Sequence, residues 1–233
     1  MGFFGGNYDR PGPGIPKDQP AKKGLALFFD ILMREGWSLL LLNLIYFLFC
    51  LPVVTIGPAT AALSRVTVTM VRDKNVYAWR DFWEAFRKNW KQGLLFGILC
   101  TAVSALETAS LLTALAAGAA DASQSWMLFS AGAAGLVGLS IGIYIFPLIA
   151  YVELGSGDLL KNAVFLAFLG KGRTLAAVAV LTVLDLAAAL LWPLSLPWLL
   201  AIHFSLCSLI SSMWAWPVIQ QYVVRPEDRD SAG

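Results

Sequence analysis

An uncharged run from Gly36 to Ser64 is interrupted by Leu51-Pro52-Val53-Val54-Thr55-Ile56-Gly57-Pro58-Ala59-Thr60. No continuous helix passes through that stretch undisturbed. Each proline removes a backbone donor and crowds the carbonyl four residues back, and the residue before it is pushed out of the helical region. In hydrocarbon such a break survives only where protein or water satisfies the freed groups. Pro52, Thr55, Gly57 and Pro58 are therefore expected to form a structural elbow, either an outer turn or a buried corner, around which the other helices of a membrane protein assemble.

The remaining apolar segments extend this reading. The chain of 233 residues is 58% hydrophobic and 14% charged, against roughly 25% charged in a soluble domain. Gln92 to Ala120 carries only Glu107, Ala122 to Val152 carries no formal charge, and Thr174 to Val224 carries only Asp185. The last is long enough for two crossings at about 20 residues each, divided at Trp192-Pro193-Leu194-Ser195-Leu196-Pro197-Trp198. The expected fold is an all-α, polytopic transmembrane helix bundle of about six spans in one domain, residues 25–224. Tails at 1–24 and 225–233 flank it. The first helix should run from Leu25 to Cys50, and the second, Ala59 to Val71, is too short to span comfortably and needs tilt or shielding. Ala134, Gly138 and Gly142 recur every four residues in the fourth span, a spacing that lets another helix approach closely.

Between the second and third spans, Trp79, Phe82, Trp83, Phe86 and Trp90 recur at helical spacing, with Arg80, Asp81, Glu84, Arg87, Lys88 and Lys91 on the other face. This is an interfacial amphipathic helix. It reads either as a lid on the spans or as a partner-docking surface. Arg80–Glu84 and Glu84–Lys88 have the spacing of ion pairs worth about 0.2–0.5 kcal/mol each. A similar hydropathy pattern follows Pro147, where Glu153 to Arg173 holds a second interfacial helix.

Lys and Arg fall in four groups: five before the first span, seven from Arg65 to Lys91, three from Glu153 to Arg173 and two at the C-terminus. The turns near Asp121 and Ser195 have none. The positive-inside rule then places both termini in the cytoplasm and the elbow at the outer surface of a multi-pass plasma-membrane protein. The same scattered distribution gives no basic stripe for nucleic acid.

A few polar residues lie deep in the apolar segments. Asp185 precedes Ser195 by ten residues and His203 follows it by eight, so their heights differ by only about 3 Å at a 1.5 Å rise. Glu107 and Asn43 sit at comparable depth. Ionisable groups there should face the bundle interior and pair, or line water, making Asn43, Glu107, Asp185 and His203 a candidate intramembrane polar site. The competing reading is a buried pair that holds helices in register. Cys50, Cys100 and Cys207 lack CxxC or Cys/His spacing and read as small buried thiols. No metal or cofactor is expected, and no GxSxG, P-loop, HExxH or GxGxxG motif points to an enzyme.

Met1-Gly2-Phe3-Phe4, the Tyr8 to Lys23 tail, Asn43 to Pro52, Thr55-Ile56-Gly57-Pro58-Ala59-Thr60-Ala61, Asp81-Phe82-Trp83 and Lys88-Asn89-Trp90-Lys91-Gln92 resemble the N-terminal half of the YesL-like family of bacterial membrane proteins, a family of unknown function. From Gly93 onward the likeness is mainly one of hydropathy. The resemblance implies a multi-pass plasma-membrane protein associated with carbohydrate uptake and supplies no catalytic residue. Expected partners are the lipid bilayer and a carbohydrate permease or another membrane protein, with a homo-oligomer compatible and nucleic acid excluded. A non-enzymatic accessory role and a small-solute transporter using its own polar site are the two function classes that follow.

Overall fold

The computed structural model describes residues 24–117 and 122–224, and no strand occurs among them. The turn at Asp121 and the flanking tails, apart from Gly24, lie outside the described residues. Eight helices follow in order: α1 (Leu25–Cys50), α2 (Ile56–Val71), α3 (Ala78–Lys88), α4 (Trp90–Ala117), α5 (Ala122–Tyr151), α6 (Ser156–Leu169), α7 (Lys171–Leu190) and α8 (Leu196–Tyr222). Five segments are long and apolar enough to cross a membrane: Val53–Val71, Trp90–Ser110, Phe129–Tyr151, Lys171–Leu190 and Leu196–Tyr222. The chain is thus a helical bundle with the character of a membrane protein. Helix α1, expected as a further crossing, is not among these five. Its first half carries Asp30, Arg34 and Glu35, and Arg34 pairs with Asp73 at 2.6 Å.

The short second helix is shielded. Three-fifths of the residues of Val53–Val71 are buried, a larger share than in any of the other four segments, and α2 touches α1, α3, α4, α5 and α8. Its buried residues include Gly57, Ala59, Ala61, Ala62 and Ser64, small side chains that let neighbouring backbones approach. Two apolar clusters meet along it. One joins Ala61 and Val68 to Phe96, Tyr144 and Trp216; the other joins Ala59 and Met70 to Leu42, Phe82 and Leu209.

The elbow forms as its sequence requires. Helix α1 stops at Cys50, Val53–Thr55 makes one 3-10 turn, and the Thr55 hydroxyl donates to the carbonyls of Phe49 and Pro52. Pro58 falls in the first turn of α2, where a missing N–H leaves no intrahelical bond unmade. Gly57 then packs on Gly93 and Gly97 of α4, backbone against backbone.

That contact corrects the expected elbow position. Gly97 lies six residues beyond Lys91, about 9 Å of helix at 1.5 Å per residue, whereas the hydrocarbon core is about 30 Å thick. The elbow and the basic Lys88–Lys91 segment therefore belong to the same end of α4 and do not occupy opposite membrane faces. The Phe49 ring also lies 5.3 Å from Phe82 and 4.9 Å from Phe86. Leu51, Val53 and Val54 at the tip are exposed, which suits a corner held within hydrocarbon better than one standing in water.

Further interruptions are supported in the same way. Pro147 lies inside α5 and cannot donate to the Ile143 carbonyl; Ser211 Oγ approaches that oxygen at 3.5 Å. Unlike Pro52, Pro147 does not end its helix, so the two prolines of the similar hydropathy patterns play different parts. At the end of α5, Arg65 donates to the Ala150 carbonyl at 3.1 Å. Gln92 donates to Leu154 and Lys88 pairs with Glu153, both at 2.7 Å. The hydrogen bond and charge of Lys88 hold the exposed Glu153 carboxyl below its ordinary range. Of the regular small-residue series on α5, Gly138 faces Glu107 and Val103 of α4, whereas a Cβ at Gly142 would meet nothing within 4 Å.

Gly57→Ala should separate α2 from α4, because its Cβ would enter the Gly93 carbonyl and Gly97 backbone. A loss of about 1–3 kcal/mol is expected from overpacking, read as a lower unfolding temperature in detergent. Gly36→Ala, where a Cβ meets nothing within 4 Å, should leave it unchanged or raise it slightly.

Candidate functional site

Asp185 and His203 meet as their depths suggest. Helix α7 supplies Asp185, and a π-helical stretch of α8, Leu199–His203, supplies the imidazole. His203 Nε2 stands 3.0 Å from Asp185 Oδ1. The ring is buried, while the Asp185 side chain is 57% exposed.

The indole of Trp198 decides which nitrogen carries the proton. Its Nε1–H donates to His203 Nδ1 at 3.0 Å, and an indole nitrogen donates only. Nδ1 is therefore the acceptor, and Nε2 carries the hydrogen that bonds to Asp185. A second proton on the ring would face the indole N–H donor to donor.

Asn43 has a different task from the one its depth suggested. Its Nδ2 donates to the carbonyls of Leu199 at 3.0 Å and Leu200 at 2.7 Å, and its Oδ1 accepts from the Ser205 amide at 3.1 Å. A π turn displaces the regular i to i+4 ladder, and this fully buried amide bonds backbone groups on both sides of the displacement. Asn43 holds the turn that presents His203. It does not touch the carboxylate.

Glu107 does not join the cluster. Its carboxylate lies against Gly135 and Gly138 of α5, and Oε1 is buried without a hydrogen-bond partner. The four-residue polar site therefore divides into an Asp185–His203 pair, a supporting Asn43 and a separate Glu107.

Sequence reasoning missed two members. Cys207 follows His203 by one helical turn, and its Sγ lies 3.9 Å from Nε2; the i, i+4 spacing carried that signal, although no CxxC did. Trp198 read only as part of the break that divides the last apolar stretch. The ligand atoms of Asp185, His203 and Cys207 lie within 4.8 Å of one another, a carboxylate, imidazole and thiol set that suits zinc. Coordination through Nε2, however, requires the proton on Nδ1, against the Trp198 donor. The set fits a metal only with that indole turned away. The same tautomer prevents a nucleophile–base pair, since Nε2 cannot accept the Cys207 proton while holding its own.

The α3 aromatics separate into two groups. Phe82 and Phe86 are buried beneath Phe49, whereas Trp79 and Trp83 remain 55% and 40% exposed; Trp90, expected on the same helix, instead opens α4 after a break at Asn89 and is 38% exposed. The rings of Trp79 and Trp83 lie parallel, with centroids 6.4 Å apart, and the Arg87 guanidinium sits 5.9 Å from the Trp83 centroid. The expected Arg80–Glu84 and Glu84–Lys88 pairs are replaced by Arg80–Asp81 and Lys88–Glu153, because the adjoining loop brings a carboxylate to Lys88.

Residues 39–111 match the model of a family described as a protein of unknown function, DUF624. This is consistent with the YesL-like resemblance in the N-terminal half and includes Asn43, the elbow, α3 and Glu107. No curated protein matches the chain, and no solved structure does.

Two outcomes test the site. Asn43→Leu leaves buried backbone groups without partners, at about 1–3 kcal/mol for each group so abandoned, and should sharply lower the unfolding temperature. Added Co2+ should give no cobalt–thiolate absorption with the unsubstituted protein. That band should appear in Trp198→Phe and vanish again when Cys207→Ala is added.

Proposed function

We propose that the chain is a non-enzymatic accessory or assembly protein of the plasma membrane, docking to another membrane protein through the Trp79 and Trp83 side of α3 and through Trp90 at the start of α4. The carrying observation is the division of that helix: its phenylalanines close the bundle, and its tryptophans remain uncovered beside Arg80 and Arg87. Large aromatics with arginine are common anchors at protein interfaces. The resemblance to the YesL-like family points to a carbohydrate permease as the partner class.

The orientation rests on one basic end of the bundle. Lys88 and Gln92 touch the loop after α5. Arg72 stands over Tyr151 and Trp216, and Arg34 reaches Asp73. The positive-inside rule makes this end cytoplasmic and supports a cytoplasmic N-terminus even with the elbow moved inward.

A second reading, a small-solute transporter, is favoured by one observation: the exposed Asp185 carboxylate at span depth beside a buried histidine. Such groups mark solute or ion paths in many membrane proteins. The Trp198 and Asn43 bonds weigh against it, because they commit the local polar groups to structure.

The test isolates the protein in mild detergent with a photo-crosslinker at position 83. The accessory reading expects a carbohydrate permease chain in fixed ratio, depleted in Trp79→Ala and Trp83→Ala while the protein remains folded in the membrane. Phe82→Ala and Phe86→Ala should instead destabilise it by about 3–5 kcal/mol each. Solute uptake by the isolated protein in liposomes, lost in Asp185→Asn, would favour the transporter.

A further inference from the structure

Asp185 is exposed at a depth where hydrocarbon offers nothing to meet its charge. It stands fourteen residues beyond the start of α7 at Lys171 and five before its end at Leu190, about 21 Å and 7.5 Å at a rise of 1.5 Å per residue. A hydrocarbon core about 30 Å thick therefore encloses it on both sides. Its neighbours one turn away, Thr182 and Ala189, and the adjoining Leu186 are exposed with it. The carboxylate thus sits in a largely apolar surface that the rest of the bundle leaves uncovered.

The chain supplies no countercharge there. His203 bonds Oδ1 at 3.0 Å, but the Trp198 donor at Nδ1 leaves that ring a single proton, and a neutral imidazole bonds a carboxylate without offsetting its charge. Thr174 to Val224 contains neither lysine nor arginine. Of the cations in the five apolar segments, Lys91, Lys171 and Arg173 lie in the first turns of their helices. Arg65 is already engaged by the Ala150 carbonyl and the Tyr151 ring. A second copy of the chain brings the same set and so has no interior cation to offer. Ionisable groups within a span pair with an opposite charge or line water, and complementary charge selects which partner an interface admits.

We propose that this face of α7 is an intramembrane docking site for a transmembrane helix of a different protein, one that carries a lysine or arginine at the depth of Asp185. Oδ1 keeps its bond to His203, and Oδ2 receives the incoming ammonium or guanidinium. Leu186 and Ala189 pack against the same helix. The contact uses no residue of α3; it adds a chemical requirement to the accessory reading and rests on that reading for the existence of a membrane partner.

The test reconstitutes the full chain, labelled with a donor dye, in phosphatidylcholine vesicles with acceptor-labelled leucine–alanine peptides long enough to span. One peptide carries a single lysine at its midpoint, and the other has leucine there. Energy transfer should show the lysine peptide associating about tenfold more tightly or better. That preference should be lost in Asp185→Asn, which keeps an oxygen acceptor for His203 Nε2. Equal affinity for the two peptides, or a lysine preference unchanged in folded Asp185→Asn, overturns the site. Energy transfer between two copies of the chain, seen without peptide and lost in Asp185→Asn, also overturns it, because the occupant is then the chain itself. The peptide comparison needs no substitution in the protein, so it decides even if Asp185→Asn fails to fold. Failure of the lysine preference leaves partner capture at position 83 intact, and failure of that capture leaves the lysine preference intact.

Discussion

Backbone carbonyls with no water to meet them are the constraint on which this structure depends. An uninterrupted helix satisfies its own carbonyls, but this chain breaks or widens its helices repeatedly inside apolar segments. Each described break discussed above is supported by a side chain: Thr55 at Phe49 and Pro52, Asn43 at Leu199 and Leu200, Ser211 at Ile143, and Arg65 at Ala150. Ser195 adds a bond to Ala188 at the end of α7. In a medium that offers no replacement donor, these contacts fix where the helices stop and bend. Polar residues that might suggest a pathway are therefore largely committed to architecture.

This allocation connects the fold to the site. Asn43 reaches from α1 to the π turn of α8, and that turn places His203 against Asp185 and Trp198. A change in the α1–α2 hairpin would consequently alter the histidine geometry without touching it. Helix α2 is the shared element, packed by glycine on α4 and joined to α8 by the Thr67–Ser212 hydroxyl contact at 2.8 Å. Its C-terminal end carries the arginines that meet the end of α5, so enclosure of one short helix links the elbow, the histidine cluster and the basic end.

Much of the helix plan was legible because hydrophobic period and length report directly on burial. The amphipathic α3, the shielded α2 and the meeting of Asp185 with His203 all followed from spacing and rise. Three features did not follow. The Gly57–Gly93–Gly97 contact depends on which helices cross, a relation that one chain's periodicity does not encode. Counting charges therefore moved the elbow to the wrong end of α4. Cys207 had a readable i, i+4 relation to His203, but a single cysteine in an apolar run forms no paired-cysteine motif. Glu107 matched the depth of the pair without matching its direction, because height along a span says nothing about rotation around it.

The central claim is that Asn43 replaces the hydrogen bonding disturbed by the α8 π turn. Isotope-edited infrared spectroscopy with carbon-13 at the Leu199 and Leu200 carbonyls measures this directly, comparing the unsubstituted protein with Asn43→Ala in the same lipid. The account expects strongly hydrogen-bonded carbonyl bands that move to higher wavenumber when the amide is removed. Bands that are already weakly bonded, or that stay in place in a folded Asn43→Ala protein, would contradict it.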